Sequence, residues 1–105
     1  MKIDPEYEHK YEEIVKSLVL KTLKDETCQV FLFGSRATGD YRFGSDFDIG
    51  INQIDREKFI SFKYQIIDEL EESIVPWKID IVNFDAVSEQ FRNTAMRNTI
   101  EWKNN

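Results

Sequence analysis

Apolar residues recur at helical spacing near the start of the chain. Tyr7, Tyr11, Ile14, Val15 and Leu18, with Thr22 a turn further on, predict an amphipathic helix over residues 5–24. Asp4-Pro5-Glu6 ahead of them reads as an N-cap, a proline at the first helical position and a first-turn carboxylate. A short apolar run, Gln29 to Phe33, then ends at Gly34, which suits a strand buried on both faces. From residue 46 the period changes to two. Phe47, Ile49 and Ile51 alternate with Asp46, Asp48 and Gly50, the pattern of a second strand. Beyond Asp55, a capping residue, Phe59, Phe62, Ile66 and Leu70 predict a second long helix. Pro76 closes the connection, and Lys78 to Phe84 form a third strand. Asp85 is expected to cap a last helix carrying Val87, Phe91 and Ala95. The segment TIEW, residues 99–102, fits either that helix or a short edge strand.

The order of elements predicts an α/β or α+β fold, a small sheet with helices against it. Repeats, linkers and low-complexity segments are absent from the sequence, so residues 1–105 read as one domain. At 41% hydrophobic residues the chain can build a core without a metal or disulfide staple. The single cysteine, Cys28, excludes an internal disulfide, and the single histidine, His9, argues against zinc-finger or zincin chemistry. Cys28 is expected in the core and His9 on the surface. Asp68, Glu69, Glu71 and Glu72 read as a solvated helix face. No apolar run approaches the roughly 18 residues of a membrane span, and MKIDPEYEHK is no signal peptide, so a cytoplasmic protein is expected.

Fourteen basic residues against 20 acidic ones give a net charge of −6, which excludes strong electrostatic binding to a nucleic-acid polymer. Small phosphorylated ligands remain, because a divalent cation can bridge carboxylates to phosphates. All four glycines, Gly34, Gly39, Gly44 and Gly50, fall in one stretch, where unusual backbone geometry is expected. Asp46 and Asp48 leave the same face of a strand and repel unless a cation lies between them or one stays protonated. Gly34-Ser35 ends the preceding strand and opens a turn whose free N–H groups suit an anion, with Ser35 adding a hydroxyl and Arg36 a guanidinium. Asp80 supplies a third carboxylate from the third strand. Together these residues read as a divalent-metal and polyphosphate site. A P-loop is rejected because Asp40 stands where the lysine belongs. A calcium EF-hand loop fails because Ile51 occupies its glycine position.

The stretch GSRATGDYRFGSDFDIGI resembles the signature of the nucleotidyltransferase superfamily related to DNA polymerase β: Gly-Ser, about ten residues, Asp-x-Asp, and a later third acid. It looks most like the minimal nucleotidyltransferases, the short MNT proteins often encoded beside a helical HEPN partner. Gly34-Ser35-Arg36-Ala37, Gly39, Ser45-Asp46 and Asp48 match the pattern, and KIDIV sets Asp80 as the third acid. The resemblance spans roughly residues 29–84. Thr38 departs from it where a basic residue is common, and Gly50 where a larger apolar one is usual.

The resemblance implies a polymerase β-like fold with a small mixed sheet, and a Mg²⁺-dependent transfer of NMP, with ATP as the expected donor. Asp46, Asp48 and Asp80 would be the catalytic and metal-binding acids, holding two Mg²⁺ ions for which Mn²⁺ can substitute. Gly34, Ser35, Arg36 and Ser45 would bind the nucleotide. The same family includes antitoxins that AMPylate a tyrosine of a HEPN toxin, and that role and partner are expected here. A binding-only antitoxin or structural subunit, and a small-molecule nucleotidyltransferase acting as a homo-oligomer, are the alternatives. Neither a nucleic-acid polymer nor a membrane is expected as a partner.

Overall fold

The computed structural model of the protein describes residues 5–39 and 46–105. Helix α1 spans Pro5–Thr22, strand β1 Gln29–Phe33, and the short helix α2 Ser35–Thr38. Strand β2 covers Phe47–Asn52, helix α3 Arg56–Glu71, strand β3 Ile79–Asn83, helix α4 Glu89–Ala95 and strand β4 Ile100–Asn104. The strands form one mixed sheet in the order β3-β2-β1-β4. β1 runs antiparallel to both β2 and β4, and β2 runs parallel to β3. Segment 99–102, which the periodicity left open, leads into and forms most of the edge strand β4. The α/β architecture expected from the sequence is the one observed.

The alternation along β1 divides the core in two. Val30 and Leu32 join Phe47, Ile49, Ile51 and Ile81 on the face covered by Val15, Val19 and Leu23 of α1 and Phe59, Ile66 and Leu70 of α3. Phe31 and Phe33 point the other way and cluster with Phe84, with Val82, Val87 and Ala95 packed against them. β1 is thus buried on both faces, as its unbroken apolar run requires. Gly50 is part of that second cluster. A Cβ there would lie 2.8 Å from Phe84 Cδ1 and closer still to the Phe31 ring, which meets Phe84 edge-on with centroids 4.7 Å apart. The residue that departs from the family pattern therefore makes room for an aromatic pair.

Asp55 caps α3 as expected, its carboxylate accepting from the N–H groups of Glu57 and Lys58. The Asp4 cap lies outside the described residues. Asp85 does not cap α4. Ser88 does, accepting from Phe91 N–H at 3.1 Å, while Asp85 accepts from the N–H groups of Gln53 and Ile54. Gln53 has a positive φ of 63°, so its N–H cannot continue the ladder, and the Asp85 carboxylate satisfies it from the end of β3. Cys28 is buried and its thiol pKa is pushed up by that burial; His9 is exposed. Among the described residues, no helix is long and apolar enough to cross a membrane.

Candidate functional site

Asp48 and Asp80 sit on the sheet face opposite α1 and α3. Because Phe47, Ile49 and Ile51 turn inward, Asp48 must turn outward, and Ile79 and Ile81 impose the same on Asp80. Sheet register then brings the two together: Asp48 pairs with Asp80 across the parallel β2–β3 ladder. On its other side Asp48 pairs with Phe33, the last residue of β1. Asp46 is exposed immediately before β2.

Burial raises the Asp48 pKa above the usual carboxylate range, and the charges of Asp80 and then Asp46 raise it further, against an opposing pull from Lys78. The charges of Asp80 and Asp46 thus both reach the Asp48 carboxyl. Among the described residues, no three potential ligands converge as a finished metal cage. The set is an open, all-oxygen, repelling group of acids, which fits a hard divalent cation that keeps positions for water or phosphate oxygens.

Gly34 follows Phe33 with φ 74° and ψ −158°, a region essentially restricted to glycine. A Cβ at this position would sit 3.2 Å from Asp48 Cγ and closer still to Oδ2. The turn therefore passes directly over the Asp48 carboxylate, and only a residue without a side chain permits it. Gly34 O then accepts from Ala37 and Thr38 N–H at 3.1 and 3.3 Å, starting the single turn of α2. Ser35 opens that turn half-buried, and Thr38 Oγ1 donates to its carbonyl at 3.1 Å.

Arg36, expected among the nucleotide-binding residues, is buried on the opposite side of the turn. Its Nη1 donates to Glu8 Oε2 of α1 at 2.5 Å, and its guanidinium carbon lies 4.2 Å from the Phe47 ring centroid and 4.5 Å from that of Trp77. The structure thus separates Arg36 from the acid cluster and makes it a tie between α1, α2, β2 and the entry to β3. Ser45 lies outside the described residues. The expected residues that do come together are Gly34, Asp48 and Asp80, with Asp46 beside them and Ser35 on the adjoining turn.

Sequence reasoning missed Glu8. Its signal was available: Glu8, Val15 and Val19 fall on one stripe of α1, so a carboxylate stands where an apolar residue belongs. It also missed a cavity of about 290 Å³ beside the turn, lined by Phe33, Gly34, Thr38, Phe91, Thr94, Ala95 and Asn98. No period in the sequence joins those two segments.

The nucleotidyltransferase-domain family model matches residues 8–102. The chain is 32% identical over 79 residues to the probable protein adenylyltransferase MntA of Haemophilus influenzae, covering 75% of this chain and 67% of that one. Its fold matches a structure described as a candidate minimal nucleotidyltransferase with a TM-score of 0.66 at 22% identity, covering 87% of this chain and 92% of that one. It also matches a chain in a complex described as a tri-AMPylated HEPN toxin of Shewanella oneidensis with its MNT antitoxin. There the TM-score is 0.60 at 15% identity, over 89% of this chain and 72% of the other.

Proposed function

The chain belongs to the nucleotidyltransferase family, and on that footing we propose that it transfers AMP from ATP to a hydroxyl, a tyrosine of a HEPN-type partner, and so serves as an antitoxin. The observation that carries the chemistry is the pairing of Asp48 with Asp80 beneath the side-chain-free turn at Gly34. A protein acceptor is supported by the likeness to the Haemophilus adenylyltransferase, whose name specifies one, and a HEPN-type acceptor by the likeness to the Shewanella complex.

In this reading Asp46, Asp48 and Asp80 hold Mg²⁺. Bound there, two divalent cations supply charge neutralisation at the triphosphate and at the attacking oxygen. The bare backbone of Gly34 and the hydroxyl of Ser35 receive the outer phosphates, which the absent Cβ allows to approach closely. Arg36 acts behind them by fixing the turn between α1 and the Phe47 and Trp77 rings. Asp80 is exposed at the far side of Asp48 from the turn, and in this reading it orients the acceptor hydroxyl and takes its proton. The acceptor oxygen bonds to the α-phosphorus as the bond to the bridging oxygen breaks, and pyrophosphate leaves on the Gly34 side. Positioning and charge stabilisation supply most of the acceleration, as in phosphoryl transfer generally.

β3 is an edge strand of the sheet, and in this reading a docked protein completes the acceptor side beyond Asp80. Incubation with labelled ATP, Mg²⁺ and a candidate HEPN-type partner protein tests the proposal. Label on a hydroxyl of that protein, lost with Asp46→Ala, is the expected result.

A further inference from the structure

The cavity between the Gly34 turn and α4 has no task in the reaction as described above. It measures about 290 Å³, near the lower end for small-molecule pockets, which suits one ring system with its sugar and little more. Its wall is almost wholly carbon: Phe33, Ala95 and the Phe91 ring, with the Gly34 backbone at one edge. Phe91 is 43% exposed although it belongs to the aromatic cluster. Its ring touches Phe33 edge-on at 6.1 Å and is tilted to Phe84 at 5.7 Å, which holds it from behind and leaves it facing the cavity. A large, fixed, half-exposed aromatic wall beside the phosphate-receiving turn is what a stacking ligand requires.

Resting on the nucleotidyltransferase reading, we propose that this cavity receives the nucleobase, that Phe91 is its stacking platform, and that purines are taken with little distinction between adenine and guanine. The position follows from register. Phe33 lies one strand, about 5 Å, from Asp48, and two strands from Asp80, so the cavity borders the acids on the side away from Asp80. In-line displacement puts the acceptor opposite the leaving pyrophosphate. With pyrophosphate leaving toward Gly34, the acceptor approaches past Asp80. The nucleoside, an equatorial substituent of the α-phosphorus, lies across that line, and the cavity beside Phe33 and Gly34 is the apolar space next to Asp48 that can take its base.

The tolerance follows from the lining. Sharp discrimination between bases requires buried polar groups that the wrong base leaves unpaired. Here the polar side chains at the wall are Thr38, Thr94 and Asn98, all exposed to water and free to be rehydrated, and Thr38 Oγ1 already donates to Ser35 O. Stacking reads a π-face, which every base has, and favours the larger purines.

Calorimetric titration with the Mg²⁺ complexes of ATP, GTP, UTP and inorganic tripolyphosphate tests this, using wild type, Phe91→Leu and Phe91→Trp. Leucine keeps the apolar packing against Phe33 and Phe84 while removing the π-face, and circular dichroism checks each fold. ATP and GTP should bind within about threefold of each other and tighter than UTP. Phe91→Leu should weaken both purines about tenfold and leave tripolyphosphate unchanged, and Phe91→Trp should retain purine binding. Unchanged ATP affinity in Phe91→Leu overturns the assignment, even where tripolyphosphate binding upholds the nucleotidyltransferase reading. A variant that binds ATP normally but labels the partner poorly overturns it too, giving the cavity to the acceptor instead. A tenfold preference for ATP over GTP overturns the tolerance. Failure of both ATP and tripolyphosphate to bind removes the nucleotidyltransferase reading and this inference with it.

Discussion

Asp48 and Asp80 are register partners in the parallel pairing of β2 with β3. Parallel partners present their side chains to the same face, so two carboxylates are held together by main-chain hydrogen bonds rather than by any attraction of their own. The sheet pays for that proximity, and a cation removes the cost. This relationship gives the site its demand for positive charge.

Metal binding should therefore depend on nucleotide. Mg²⁺ alone should bind weakly, because a few carboxylates without phosphate oxygens make an incomplete shell. ATP should tighten it. Tight Mg²⁺ binding by calorimetry in the absence of nucleotide, or ATP binding undiminished in EDTA, contradicts the site.

Neutralising Asp48 should stabilise the metal-free protein. Its pKa is raised in the folded chain by burial and by Asp80 and Asp46, and returns to the ordinary value on unfolding. Between those two values the folded state binds more protons, so stability falls as pH rises through the window and stays reduced above it. Asp48→Asn should thus melt higher than wild type in EDTA at neutral pH. The difference should vanish below about pH 4, where both side chains are neutral. A variant that melts lower at neutral pH would show that Asp48 is held by attraction instead.

Gly34→Ala should cost about 1–3 kcal/mol from its backbone conformation alone. Because the new methyl also drives into the Asp48 carboxylate, ATP-dependent activity should fall by more than the loss of folded protein explains. Gly39→Ala, at φ 84° but with open space around its Cβ, should lose stability while leaving the site intact. Denaturant melts alongside single-turnover labelling separate the two.

The Glu8–Arg36 pair should behave as a buried ion pair. Glu8→Ala removes the buried carboxylate to which Arg36 Nη1 donates, at a cost of about 3–5 kcal/mol. Glu8 Oε1 is itself buried without a hydrogen-bond partner, so the wild-type pair is imperfectly satisfied. A Glu8→Leu/Arg36→Met double variant should therefore recover most of the lost stability. Urea melts of the single and double variants measure it, and additive losses would contradict the pairing.

The strands and the acids were legible in the sequence because both rest on local rules. Period-two alternation gave the facing of Asp48, whereas Asp46, expected on the same strand face, lies just before β2, and a glycine cluster marked the turn. Arg36 was read as a phosphate ligand from its place in the turn beside Gly34 and Ser35. Its actual position depends on Glu8, 28 residues earlier, and on Phe47 and Trp77, which no local pattern connects to it. Asp85 was read as a helix cap from its place before an apolar repeat, but the unpaired N–H of Gln53 on a neighbouring connection claimed it. The Phe91 cavity needed α4 folded back over β1, a tertiary relation. Thr99 to Trp102 could not be decided because four residues sample neither period long enough.

The most direct test of the transfer chemistry is intact-mass spectrometry of the HEPN-type partner after incubation with ATP, Mg²⁺ and this protein, wild type or Asp46→Ala. With wild type the partner should gain one or more AMP masses on a hydroxyl residue, while this chain gains none. With Asp46→Ala it should gain none. A partner that binds tightly, stays unmodified, and is neutralised equally by wild type and Asp46→Ala would contradict the account and leave a binding-only antitoxin.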